Sequence, residues 1–353
     1  MSMGVTLGIP ATTRAQRAVR SRGRSKVLAL VAGTVLLIVA MVASLLVGVR
    51  TIAPEIALQA FLGFDPTSVE HVIIRDYRLP RTLLGLLAGS AFGVSGALIQ
   101  AATRNPLADP GILGVNAGAA FFVIVAVGLL GLRTIDAYLG FAMLGAVAAT
   151  AVVYAVGASG RDGATPMRLV LAGVALSAVL SGIGSSITLL NPQAFDQMRH
   201  WSIGSIAGRD MHIVATVAPV IATGHLLALV LARPLNAVAL GDELASTLGA
   251  GLGLTRVGVA IGVTLLAGGA TAAAGPVGFL GLMVPHAVRW FSGPDQRWIV
   301  ILTAVFSAIL ILVADVAGRL LIAPDELEAG ILTALIGAPV LILLARRRKA
   351  TGL

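Results

Sequence analysis

Apolar residues along this chain gather into long runs, and polar residues collect between them. A bilayer's hydrocarbon core is about 30 Å thick, so a helix that crosses it needs ~20 mostly apolar residues. Ten runs reach or approach that length: 27–49, 82–101, 117–132, 137–156, 166–190, 213–231, 257–274, 277–291, 298–321 and 329–344. The pattern predicts an all-α, polytopic membrane protein with about ten transmembrane helices. The eighth run is short and joins the seventh tightly at Gly275 and Pro276, so a nine-helix reading that merges them stays open. The first run is longer than the ~7–15-residue core of a signal peptide and reads as a retained helix. The expected organisation is a basic tail over 1–26, one membrane domain over 27–345 and a short basic tail over 346–353.

Composition agrees with lipid as the main solvent. Charged residues are 12% of the chain, against roughly a quarter in a soluble domain. The 42 glycines fit helices that pack closely in a membrane. Cysteine is absent, which excludes a disulfide framework and a thiolate metal site. The net charge of +9 suggests no nucleic acid, because the basic residues do not form a patch alternating with aromatics.

Those basic residues predict orientation instead. With ten helices both ends share one side, and that side receives seventeen of the 25, including the runs Arg14–Lys26 and Arg346–Lys349. The positive-inside rule makes it the cytoplasm. The other eight, among them Arg50, Arg78, Arg81, Arg199 and Arg319, fall outside. Of 16 acidic residues only Asp315 lies well inside an apolar run. Arg319 follows it by one helical turn, so the two are expected to form a structural ion pair.

Several chemistries are missing. A phosphate loop GxxxxGK[ST] needs a lysine, and Lys26 and Lys349 are the only two, neither in such a loop. The five histidines show no ligand spacing, so no metal site and no bound cofactor are expected. His225, inside the sixth run, reads as a partner for a neighbouring helix or as a proton carrier. No catalytic triad or nucleophile elbow is present, and the chain reads as non-catalytic.

Three segments carry mechanical meaning. Gly85, Gly89 and Gly93 are two overlapping GxxxG units, a close-packing face on the second helix. Arg104, Asn105, Pro106, Leu107, Ala108, Asp109, Pro110 and Gly111 form a rigid turn, with Asp109 and Pro110 suited to cap the third helix. Between the sixth and seventh helices, Leu240, Leu244 and Leu248 recur every four residues around Gly241, Ala245 and Gly249. That reads as an amphipathic helix for a membrane surface or for a partner's groove.

The segments RLPRTLLGLLAGSAFGVSGALIQ, RNPLADPGILGVNAGA, LGDELASTLG and GPVGFLGLMVPHAVRWFSGPDQR, followed by ELEAGILTALIGAP, occur in order over residues 75–345. In these the chain resembles the permease family of ATP-binding-cassette importers for iron siderophores, haem and vitamin B12. LLNPQAFDQMRHWSIGSI, with NPLADPGILGVNAGA, resembles ferric-enterobactin permease subunits in particular. The resemblance implies the fold of the vitamin B12 permeases, with ten helices and no ATPase activity of its own. It implies a second permease subunit, related or identical, two ATPase subunits inside, and an external siderophore-binding protein. It implies that the coupling helices at about 236–255 seat in the ATPase, with Leu240, Gly241, Leu244, Ala245, Leu248 and Gly249 in the contact. It implies that Arg78, Arg81 and Arg319 face outward and meet acids of the binding protein. It implies that Asn105, Pro106, Leu107, Asp109 and Pro110 narrow the inner end of the path. Met167 and Glu328 depart from the residues common at their positions in the family. An ion-coupled carrier built on Asp315 or His225, and a scaffold without transport, are the readings from other classes.

Overall fold

The computed structural model describes residues 11–159 and 165–347. The tail over 1–10, Arg161, and the basic residues from Arg348 onward lie outside the described residues. Within these the chain is helical throughout. The helices are α1 (Ala11–Leu46), α2 (Pro54–Leu62), α3 (Val69–Thr103), α4 (Val115–Gly128), α5 (Ile135–Ala158), α6 (Pro166–Leu190), α7 (Pro192–Ile203), α8 (Met211–Val238), α9 (Asp242–Thr247), α10 (Leu252–Ala274), α11 (Leu280–Ser292), α12 (Gln296–Leu321) and α13 (Ala329–Arg347). Each of the ten apolar runs has its own helix. Among the described residues seven are long and apolar enough to span a membrane, and α4 and α13 are shorter apolar helices. The end of the bundle where α1 starts is here called inner.

Three elements differ from the sequence expectation. The basic segment from Ala11 continues into the first span as one helix, because no proline interrupts 11–46. The second span begins at Val69 rather than near Thr82, with a π-helical stretch at Ile73–Arg78 just before Pro80. A wider turn relieves the clash that a proline ring makes with the carbonyl four residues back. The helix of the eighth run is too short to cross alone, and the non-helical stretch 275–279 makes up the rest of the passage. At 1.5 Å per residue the 13 residues of α11 span ~20 Å, short of the ~30 Å core. The seventh and eighth runs are separate, because Gly275 (φ +73°) and Phe279 (φ +67°) break the helix. Non-helical backbone at such depth must be covered by protein. Here the Ser205 N–H donates to the Ala274 carbonyl at 2.7 Å, tying the break to the segment after α7.

The long helices are not equally buried. α3 lies at the centre against α8, α10, α11 and α12. About 78% of the apolar window of α3, and the same share of α10, is buried, against 11% of α6. A second group, α4 to α7, joins the centre through α10. Small residues permit this packing. Gly85, Gly89 and Gly93 all face α12, and a Cβ on Gly89 would stand 2.8 Å from the Ser307 carbonyl oxygen and from the Ala308 Cα.

Candidate functional site

At the outer end, α1, α3 and α12 meet around Asp315. Its carboxylate accepts from Arg81 Nε at 3.0 Å and Nη2 at 2.8 Å, and from Arg319 Nη2. The ion pair between Asp315 and Arg319 expected from the sequence is present, and Arg81 joins it from another helix. Arg319 also donates to the carbonyls of Ser44 (2.7 Å) and Val47 (3.1 Å). Arg78 donates to those of Leu45 (2.8 Å), Leu46 (2.9 Å) and Arg50. Ser44, Leu45 and Leu46 belong to the last turn of α1, whose carbonyls lack helical partners at the negative pole of its dipole, and Val47 and Arg50 follow just beyond it. Arg81 reaches outward to Glu326 at 2.7 Å.

This corrects the expectation of three outward-facing arginines. The side chains of Arg319 (2% exposed) and Arg78 are buried, and Arg81 is mostly covered. The reason is electrostatic. Unpaired helix-end carbonyls and a buried carboxylate draw guanidinium groups inward, where each bond replaces one to water.

At the inner end, Arg104 closes α3 in the left-handed conformation (φ +51°). Asn105 Oδ1 then accepts from the Leu107 N–H at 3.0 Å, and Asp109 Oδ1 from the Gly111 N–H at 2.8 Å. Asp109 caps a 3-10 turn, Pro110–Leu113, and not the third span as expected. Gly114 (φ +75°) separates that turn from α4. Burial raises the pKa of the Asp109 carboxyl above its ordinary value, against the pull of the Gly111 N–H. The side chains of Asn105 and Leu107 are exposed, with Pro106 partly covered between them.

Next to this turn lies the amphipathic segment. It holds one six-residue helix, α9, where coupling helices in the plural were expected over 236–255. Leu240, Leu244 and Leu248 are exposed, while Ala245 on the other face is fully buried. Gly241 (φ +107°) and Gly249 (φ +78°) make the turns at either end, conformations that other residues rarely adopt. Asp242 pairs with Arg256 at the start of α10 (2.7 Å) and with Arg104 at the end of α3 (3.5 Å). One carboxylate therefore ties the exposed leucine face to the two most buried spans.

Elsewhere the structure adds what sequence spacing hides. His225 Nδ1 lies 2.9 Å from the Ile221 carbonyl of its own helix, not from a neighbouring one. Asp136, Asp210 and His212, distant in sequence and all exposed, bring ligand atoms within 4.8 Å of one another. His212 Nδ1 there lies 3.1 Å from Asp136 Oδ1, which accounts for the approach.

The FecCD transport family matches residues 36–347. The ferric enterobactin transport system permease protein FepD of Escherichia coli K12 is 44% identical over 90% of this chain and 94% of its own length. The iron(3+)-hydroxamate import system permease protein FhuB of Bacillus subtilis 168 is 38% identical over 93% and 85% respectively. Among solved structures, a metal-chelate type ABC transporter in an inward-facing conformation superposes with a TM-score of 0.79 at 27% identity, covering 90% of this chain and 98% of that one. This multi-pass helical chain, with its inner amphipathic segment between α8 and α10, belongs to the FecCD transport family.

Proposed function

We propose that this chain is the permease subunit of an ATP-driven importer for ferric siderophores of the enterobactin-like catecholate class. It lies in the cytoplasmic membrane with both termini inside, pairs with a second permease subunit, rests on two ATPase subunits and receives cargo from an extracytoplasmic binding protein. The 44% identity to an enterobactin permease supports the cargo. The observation that carries the mechanism is the exposed leucine face of α9 and its anchor at Asp242. The subunit of an ATP-driven importer that itself has no phosphate loop receives the free energy of hydrolysis from a partner. Leucines in a partner's groove, held through Asp242 to α3 and α10, would pass a movement of the ATPase directly to the two central spans. α10 carries a π-helical stretch at Thr264–Gly268, midway along its length. Such segments recur at functional sites and mark where a span can change its path. On the outer face the docking role falls to Arg81, whose partner Glu326 is exposed and replaceable by an acid of the binding protein. Asp315, itself bonded to Arg319, holds Arg81 in position, and Arg78 ties α3 to the end of α1.

Leu244→Glu is expected to cut ATP-dependent uptake about tenfold or more, the scale of losing a contact worth ~1.4 kcal/mol or more. The measurement is uptake of radiolabelled ferric siderophore into proteoliposomes holding the complete importer, with binding protein outside and ATP inside. Gly241→Leu and Gly249→Leu should act alike through strain in the turns and melt somewhat below the wild type, destabilised by roughly 1–3 kcal/mol each, while Leu244→Glu extracts and melts as the wild type does. Normal uptake by Leu244→Glu would remove α9 from the coupling route.

A further inference from the structure

α6 is the least buried of the seven long spans among the described residues, at 11% of its apolar window, yet it is not uniformly apolar. Ser177, Ser181 and Ser185 recur every four residues along it, and Thr188 follows near the outer end. A helix face that met only lipid tails would gain nothing from a row of hydroxyls, and polar groups at such depth normally face protein or a water-filled cavity. A cavity of about 320 Å3 lies there, between α4, α6 and α7. Ser181, Ser185 and Thr188 line one side and Phe121 of α4 another.

α7 roofs this cavity and is firmly held. Asn191 Oδ1 caps it by accepting from the N–H groups of Gln193 and Ala194 at 3.1 Å, and its Nδ2 donates to the Gly128 carbonyl at 2.9 Å. Ala194 and Trp201 are buried beneath it. Phe195 and Arg199, one helical turn apart, both line the cavity. The neighbouring outer arginines are engaged: Arg133 donates to Gln193 Oε1 at 2.6 Å and Arg209 to the Ala273 carbonyl at 2.8 Å. Arg199 pairs with no carboxylate among the described residues.

We infer that this cavity is one wall of the cargo site and that Arg199, Phe195 and Phe121 select an anionic, aromatic chelate. Fe(III) held by three catecholate dianions is a trianion with three aromatic faces, whereas a ferric trihydroxamate is neutral and aliphatic around the metal. A free guanidinium attracts the first and gains little from the second. Phenyl rings pack on catechol rings edge to face or offset, and the hydroxyls of Ser181 and Ser185 offer donors to the catecholate oxygens, while that of Thr188 donates to the Gly184 and Ser185 carbonyls. The volume is at the low end of the ~300–1,000 Å3 of small-ligand sites, so the wall takes one catecholate arm and leaves the rest of the chelate to a facing surface. The inference rests on the siderophore reading above and adds to it the residues that choose the cargo.

The complete importer in proteoliposomes, given ferric enterobactin, decides the matter with three variants. Arg199→Gln is expected to lower uptake about tenfold, one charge-assisted contact at ~1.4 kcal/mol. Arg199→Lys should keep most of it, and Phe195→Ala should fall between. Melting temperature should stay at the wild-type value in all three. Wild-type uptake with an equally active Arg199→Gln overturns the selection role and leaves the importer reading intact. An Arg199→Lys variant as poor as Arg199→Gln also overturns it, since charge would then not be what matters. Failure of the wild type itself to import any ferric catecholate, with its ATPases active, overturns both readings.

Discussion

Asp315→Ala is expected to leave little folded protein in the membrane. The side chain of Asp315 is 1% exposed, and it is the carboxylate that Arg319 and Arg81 share. Its loss strands the Arg319 guanidinium, which is 2% exposed, with only carbonyl and hydroxyl partners. Breaking a buried pair by removing one member costs about 3–5 kcal/mol, much of a typical folding free energy. The measurement is the yield and melting temperature of detergent-extracted protein. Asp315→Ala combined with Arg319→Met should recover part of the loss, because removing both charges leaves less uncompensated than removing one. Glu326→Gln, at the exposed rim of the same cluster, should cost under ~1 kcal/mol. A single Asp315→Ala variant that melts with the wild type would show that the arginines, not the carboxylate, hold the cluster together.

Gly96→Ala is expected to be at least as damaging, by packing rather than charge. A Cβ there would overlap the carbonyl oxygen and Cα of Gly281. Both are backbone atoms of α11 and cannot rotate away. The junction is also bonded: Gln100 Nε2 donates to the Gly281 carbonyl at 2.9 Å and the Leu282 carbonyl at 3.2 Å, and Arg289 donates to Gln100 Oε1. Ordinary overpacking costs about 1–3 kcal/mol because side chains give way, and a clash confined to backbone should exceed that. Gly85→Ala is the milder comparison, since its nearest obstacle is the Leu312 Cδ2 tip at 2.7 Å. Gly253→Ala, with open space around it, should be neutral or slightly stabilising. Melting temperatures that failed to follow the order Gly96, Gly85, Gly253 would refute this account of the α3–α11 junction.

Much of the architecture is legible in the chain because lipid imposes a simple demand. A span must be long, apolar and helical, so every run from 27–49 to 329–344 announces itself. Period-four leucines and flanking glycines announce α9, since amphipathicity and turn chemistry are local properties. The glycine face of α3 is legible as a packing face, but not its partner α12. The π-helical stretch before Pro80 and the short helix α11 are less visible, because hydropathy does not say how deep a run sits or where it bends.

The arginines show the limit most clearly. Arg81 and Asp315 are 234 residues apart in sequence, and their pairing depends on how α3 and α12 are rotated about their axes. A charge in an outer connection is free to meet water or a docking protein; whether it turns inward depends on which carbonyls the end of α1 leaves open beside it. The same holds for whole helices. The sequence determined by itself that α3 and α6 both belong in a membrane, for each is long and apolar to nearly the same degree. Only the tertiary structure decided that about 78% of the α3 window is buried and 11% of that of α6, because lipid tails are as apolar as a protein interior and composition cannot tell one neighbour from the other.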